Sequence, residues 1–261
     1  MTAQIKPVSF IRPGGVTAGE RCVAVEAPVS IEVDGLGYAV MMMTPSDLEA
    51  FAVGFMLTER LADTVADIIA VEPFETDAGW IVRIALADRC RNRIHDRVRH
   101  RTSDTSCGLC GIAGLEQLHR PAPIAPRPDV RQHALFAALA NLRAYQPLNA
   151  LTGAVHAAAV CNREGRIVAA YEDVGRHNAL DKLIGGQTGQ AIEGFILVTS
   201  RLSFEMVDKS LIANAPLLVG ISAPTTLALL HAQKYGLTLI ALARSDAMIM
   251  AHDPHNIFPA F

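Results

Sequence analysis

Apolar and polar residues alternate at Val29-Ser30-Ile31-Glu32-Val33, and a second apolar run covers Tyr38 to Met43 beyond Asp34-Gly35-Leu36-Gly37. That pattern predicts a β-hairpin closed by a short glycine-containing loop. Thr44-Pro45-Ser46-Asp47 then predicts a helix start, with an N-cap, a proline at the first helical position and an acid at the third. The helix is expected to run to about Glu59 and to bury Leu48, Phe51, Phe55 and Met56 on one face. A shorter helix over Val65 to Ile69 and a strand through Trp80, Val82, Ile84 and Leu86 complete a small mixed α/β unit.

Downstream, prolines crowd the segment Arg120-Pro121-Ala122-Pro123-Ile124-Ala125-Pro126-Arg127-Pro128. Such a segment lacks amide donors and favours extended backbone, so it predicts a stiff linker or surface crossing. Residues 1–120 are therefore assigned to an N-terminal domain, 121–128 to the linker and 129–261 to a second domain. In that second part Asp129 is expected to cap a helix running to about Arg143, where Pro147 ends the pattern. Strands are expected at His156–Cys161, Arg166–Tyr171, Phe195–Thr199, Leu217–Ile221 and Leu237–Ala243, and helices at Asn178–Ile184, Phe204–Ile212 and Thr226–Tyr235. This alternation predicts a three-layer α/β sheet.

Ligands of open α/β sheets bind at the strand carboxyl ends. Here those ends carry His177 and Asn178, Arg201, Ser222 and Thr225, and Arg244-Ser245-Asp246. Hydroxyls, an amide, arginines and helix starts suit an anionic, hydrogen-bonding ligand such as a nucleotide.

The 261 residues are 51% hydrophobic and 19% charged with a formal net charge of −3, which fits a globular chain without general nucleic-acid affinity. No apolar run is long enough to span a bilayer and no signal-peptide core is seen, so a soluble cytoplasmic protein is expected. Five cysteines, three of them isolated, argue against an extracellular disulfide framework.

The remaining two define the chain's most reactive-looking stretch, Thr105-Ser106-Cys107-Gly108-Leu109-Cys110-Gly111. Small flanking residues leave a thiol reachable. The upstream arginines 89, 91, 93, 97, 99 and 101 favour the thiolate. A zinc half-site completed by Cys90 with His95 or His100, a thioredoxin-like dithiol and a pair of inert buried cysteines are the other readings of this spacing. The order of elements after residue 150 is like that of zinc-dependent nucleoside deaminases, yet their His-x-Glu and Pro-Cys-x-x-Cys ligand patterns are replaced by His177-Asn178-Ala179 and Ser200-Arg201-Leu202-Ser203. No metal site is therefore expected.

Ser106–Gly111, Thr152–Ala158, Glu172–Lys182, Ser203–Val207, Ser222–Thr225 and Gly236–Leu239 together resemble the FdhD family of sulfur carriers, the accessory sulfurtransferases required for formate dehydrogenase. The resemblance implies a cytidine-deaminase-like three-layer C-terminal domain that has lost its zinc chemistry. It implies that sulfane sulfur arrives as a persulfide from a cysteine desulfurase and passes to molybdenum bis(molybdopterin guanine dinucleotide) before insertion into formate dehydrogenase. Cys107 then matches the persulfide-bearing residue and Cys110 its partner. The cofactor-binding segment falls on Leu242, Ala243, Arg244, Ser245, Asp246 and Ala247, a guanine nucleotide being the natural analogue. A homodimer is implied as well. The contrasting expectation is a chaperone that only holds the cofactor, its Cys pair redox-active or zinc-binding.

Overall fold

The computed structural model describes residues 1–101 and 120–259, and the side chains of the helix that closes the first stretch are described up to residue 94. Cys107 and Cys110 lie outside the described residues. The chain opens with a long antiparallel ribbon, β1 (Ala3–Arg12) and β2 (Gly15–Ala24), which forms a two-stranded sheet. Its alternate apolar residues Ile5, Ile11 and Val16 face solvent, so no burial stripe announced it. Arg21 ties the ribbon to the body by donating to the Thr152 carbonyl at 3.2 Å.

Next comes a four-stranded sheet of order β4-β3-β6-β5, built from β3 (Ala27–Val33), β4 (Leu36–Met43), β5 (Ile68–Thr76) and β6 (Gly79–Leu86). The expected hairpin is β3–β4, and its turn is the pair Asp34-Gly35, both at positive φ (48° and 78°), as the twist of two-residue hairpin turns demands. The short helix expected at Val65 is one 3-10 turn, Val65–Asp67, after which the chain enters β5. The buried Asp67 carboxylate closes that turn by accepting from the amides of Asp63 and Thr64.

Helix α1 (Leu48–Thr58) buries more than the single face expected: Ala52, Gly54 and Thr58 are covered in addition to Leu48, Phe51, Phe55 and Met56. A helix apolar all round belongs between two layers, and α1 lies between the four-stranded sheet and α5 (Arg176–Gly186). The two helices touch backbone to backbone. A Cβ on Gly54 would stand 1.9 Å from the Asp181 carbonyl oxygen, and one on Gly185 would stand 1.8 Å from that of Ala50. The helix start is also corrected: α1 begins at Leu48 behind Asp47, which sits at φ 53° with no side-chain cap bond. Thr44, the expected cap, is fully buried and its groups are spent on the other half of the molecule.

Helix α2 (Asp88–Arg101) packs Cys90 and Ile94 into the same core. Its arginines fasten it outside: Arg89 to Asp67 at 2.5 Å and Arg93 to both oxygens of Asp63 at 2.8 and 2.6 Å. The proline-rich segment is docked, with Ala125 buried and its amide donating to the Tyr235 carbonyl at 2.9 Å.

The second sheet has six strands in the order β12-β11-β10-β9-β7-β8. They are β7 (His156–Cys161), β8 (Ile167–Asp173), β9 (Phe195–Val198), β10 (Leu217–Gly220), β11 (Thr238–Ala241) and β12 (Ile249–His252). Strands β9, β10 and β11 are parallel, whereas β7, β8 and β12 run antiparallel to their neighbours. Alternate residues feed two cores. Ala158, Ile196 and Leu218 join α5, α6 (Phe204–Ile212) and α7 (Thr226–Tyr235) on one face; Ala159, Leu197 and Val219 join α3 (Gln132–Asn141) on the other. The molecule is thus a mixed α/β fold with helices on both faces of its larger sheet. Asp129 does not cap α3, because its carboxylate pairs with Arg163 at 3.0 Å. Pro147 opens a further short helix, α4 (Pro147–Thr152), whose first amides donate to Glu172 at 2.8 Å from the far end of β8. No helix among the described residues is long and apolar enough to cross a membrane.

Candidate functional site

The carboxyl ends of the three parallel strands continue into loops that bond to one another. Leu202 donates to the Ala223 carbonyl at 3.1 Å, Thr225 to that of Leu202 at 3.0 Å and Leu242 to that of Ser222 at 3.2 Å. Arg244 extends over the same ledge, its guanidinium donating to the carbonyls of Ile221 and Ala243. Its amide donates to Ala247 at 2.9 Å, folding Arg244–Ala247 into a tight turn with Ser245 and Asp246 exposed. Leu242 enters that turn at φ 48°, and Ala243 is buried beneath it. Thr225 caps α7 by accepting from the Ala228 amide at 3.3 Å. Arg201 is exposed beside these groups. Arg201, Ser222, Thr225 and Leu242–Ala247 therefore share one pole of the sheet.

His177 and Asn178, on the first turn of α5, part company there. His177 turns toward α6, and its Nε2 stands 2.8 Å from Glu205 Oε2. That contact holds the Glu205 carboxyl below its usual value against the opposing effect of burial. Asn178 is buried and its amide donates to the Met42 carbonyl at 3.0 Å and to Asp173 at 3.1 Å. Its amide group serves the junction between the two sheets.

That junction is a closed polar network. Lys182 and Asp173 are both fully buried and stand 2.6 Å apart. Lys182 also donates to the Thr44 carbonyl at 2.9 Å, while Asp173 accepts from the amides of Thr44 at 3.1 Å and Gly175 at 2.7 Å. A second buried pair, Lys209 with Asp181 at 2.8 Å, includes the Thr58 hydroxyl. Burial opposes the Lys209 charge, but Asp181 together with Glu59 and Glu205 outweighs it and raises the amine's pKa. Both networks position the helices whose amino ends face the pole.

The electrostatics of the pole favour an anion. Helices α5 and α6 start there at Gly175 and Ser203 without side-chain caps, leaving amides to a ligand or water. Arg176 Nε and Ser203 Oγ are buried with no hydrogen-bond partner, a debt a polar ligand would settle. His156, at the start of β7, is kept below its ordinary pKa by burial and then by the charges of Arg176 and His177. Glu205, Arg176, Ser203 and His156 complete a set that sequence spacing had only partly marked. Only the helix-start position of Arg176 and Ser203 offered a signal.

Comparison with known proteins gives the family. The FdhD/NarQ family model matches residues 24–258. The chain belongs to the FdhD/NarQ family. Family members include "Sulfur carrier protein FdhD" of Bordetella bronchiseptica, 42% identical over 235 residues covering 88% of this chain and 85% of that protein. The protein of the same name from Variovorax paradoxus is 39% identical over 260 residues, covering 98% and 94%. A crystal structure from Desulfotalea psychrophila, described as a formate dehydrogenase accessory protein, shares 25% identity at a TM-score of 0.79 and covers 99% of this chain and all of its own. The FdhD fold thus extends over the described ribbon and both sheets.

Among the described cysteines, Cys90 and Cys161 are poor nucleophiles. Burial raises the Cys90 thiol and pushes Cys161 up to about 12, while Cys22 is half-buried on β2. Asp63, Asp67 and Cys90 bring ligand atoms within 4.8 Å of one another, but both carboxylates are already matched by Arg93 and Arg89. That is the bonding of a helix anchor.

Proposed function

We propose that this protein is a sulfur carrier for formate dehydrogenase maturation, accepting sulfane sulfur on Cys107 and delivering it to a molybdenum cofactor held at the strand-carboxyl pole. The observation that carries the reading is identity near 40% over almost the whole chain to proteins named sulfur carriers. The unpartnered Arg176 and Ser203 atoms and the two uncapped helix starts support a polyanionic ligand such as the guanine-nucleotide end of the cofactor.

In this reading the Cys107 thiolate attacks the terminal sulfur of a persulfide on a cysteine desulfurase. One S–S bond breaks and another forms, and the donor leaves as a thiolate with no net redox change. Delivery follows when Cys110 attacks Cys107 Sγ: the new disulfide supplies two electrons and hydrosulfide departs toward the metal centre. A cellular thiol then reduces the pair. The six-stranded unit is read as deaminase-like, with His177-Asn178-Ala179 and Ser200-Arg201-Leu202-Ser203 in place of the zinc-ligand patterns. The protein acts in the cytoplasm as a homodimer.

Intact-mass measurement after incubation with a cysteine desulfurase and cysteine tests the carrier step. The wild type should gain one sulfur atom and Cys107→Ala none. Cys107→Ala should also abolish formate dehydrogenase maturation in a complemented null strain while leaving GDP affinity unchanged; equal sulfur uptake by both proteins would refute the assignment. At the pole, Arg201→Ala should weaken GDP binding about tenfold at low salt, with the difference shrinking at high ionic strength because the site is exposed. Calorimetric titration at two salt concentrations reads this directly, and equal affinities would remove Arg201 from the site.

A further inference from the structure

The end of α5 far from His177 borders a cavity of about 300 Å³. Its floor is apolar: Leu57, Leu183, Ile184, Ile192 and Ile212, contributed by α1, α5, α6 and the chain entering β9. Gln187, Thr188 and Asp63 line its rim. Among the described residues its lining includes no lysine, arginine or histidine. Helices α1, α5 and α6 all end at this cavity, with Leu57, Gln187 and Ala213 at or beside their last turns. Helix carboxyl ends carry partial negative charge, so together with Asp63 they favour a cation over an anion at this cavity.

One group already shows the fitting chemistry. Arg93 on α2 meets Asp63 through two parallel bonds of 2.8 and 2.6 Å, the planar geometry in which guanidinium and amidinium ions bind carboxylates. The pair is open to solvent, with 59% of the Asp63 side chain and 35% of the Arg93 side chain exposed. The pair is bidentate yet open to solvent, so a second cation of the same planar geometry can compete with Arg93 for the carboxylate.

We propose that this cavity is a second ligand site, for a small organic cation that seats an apolar body on the floor and takes Asp63 from Arg93. Occupation of the site frees the Arg93 anchor of α2, the helix that precedes the Cys107 segment in the chain. The site and its ligand class are independent of the sulfur-carrier reading.

Benzamidinium is a suitable probe, because its amidinium matches the Arg93 geometry and its ring matches the floor. Calorimetric titration of the full chain should give a dissociation constant on the order of millimolar, with benzoate bound at least about tenfold more weakly. Asp63→Asn should weaken benzamidinium about tenfold. Arg93→Gln should tighten it several-fold by removing the competitor. Both residues are at the surface, and circular dichroism confirms that each variant is folded. Binding of benzoate as strongly as benzamidinium, no binding of either, or affinities unmoved by both substitutions would overturn the proposal.

Discussion

Substituting alanine for Gly54 is expected to destabilise the protein by more than about 3 kcal/mol, the upper range for overpacked cores. The added Cβ would meet the Asp181 carbonyl oxygen at 1.9 Å and the Gly185 amide nitrogen at 2.9 Å. These are backbone atoms of a helix fixed on its other side by the six-stranded sheet, so no side-chain rotation relieves the clash. The helices must separate. Separation pulls Thr58 away from Asp181 and Lys209, both bonded to its hydroxyl at 2.8 Å. Gly14→Ala is the control, since no atom lies within 4 Å of a Cβ built there. Urea unfolding should show a large drop in midpoint for Gly54→Ala and almost none for Gly14→Ala. Similar midpoints would show that α1 and α5 are not in backbone contact.

The second large effect is expected from Lys182→Met, at about 3–5 kcal/mol, the cost of stripping one partner from a buried ion pair. Methionine fills the space of the aliphatic stem. The loss is therefore chiefly electrostatic: Asp173 keeps the Thr44, Gly175 and Asn178 donors but no counter-charge. A lone buried carboxylate has its pKa raised by desolvation. The sign with pH follows: in the variant Asp173 binds a proton in the folded state at a pH where the unfolded chain has released it. The penalty is full at neutral pH and shrinks as pH falls toward the ordinary carboxylate range. Asp173→Asn added to Lys182→Met should recover part of the stability. Denaturation at several pH values checks both points, and a penalty that is constant with pH would show that the buried charge is not its source. Because Thr44 bonds to both members of the pair, the double variant also tests how far this network holds the four-stranded sheet to the six-stranded one.

Locally coded elements were legible, and each was coded by its own neighbours. The Asp34-Gly35 turn needs two positive φ values, which those residue types tolerate. Strands β7, β9, β10 and β11 are short apolar runs followed by turn residues, and Gly236 at φ 71° stops α7 where its glycine predicts. The candidate residues Thr225, which accepts from the Ala228 amide of its own helix, and Arg244 stand at the strand ends where alternation places them.

What failed was every reading that assumed a polar residue serves its nearest neighbours. Thr44 and Asp129, the two expected caps, find partners far away in sequence, and α1 and α3 start elsewhere. Strand β5 was hidden because its proline and glutamates sit on an edge where ladder bonds and burial are needed on one side only.

The amino-acid sequence by itself determined the alternating strands and helices of the larger sheet, the positions of the loops at its carboxyl end and the Cys-x-x-Cys spacing of Cys107 and Cys110. Tertiary structure alone decided that Lys182 is a buried counter-ion, that His177 turns to Glu205 while Asn178 turns inward, and that α1 and α5 meet through glycines. Local periodicity records which face of an element avoids water. It carries no record of which distant backbone or charge will lie against that face, because that pairing is fixed only when the two sheets close over the helices between them.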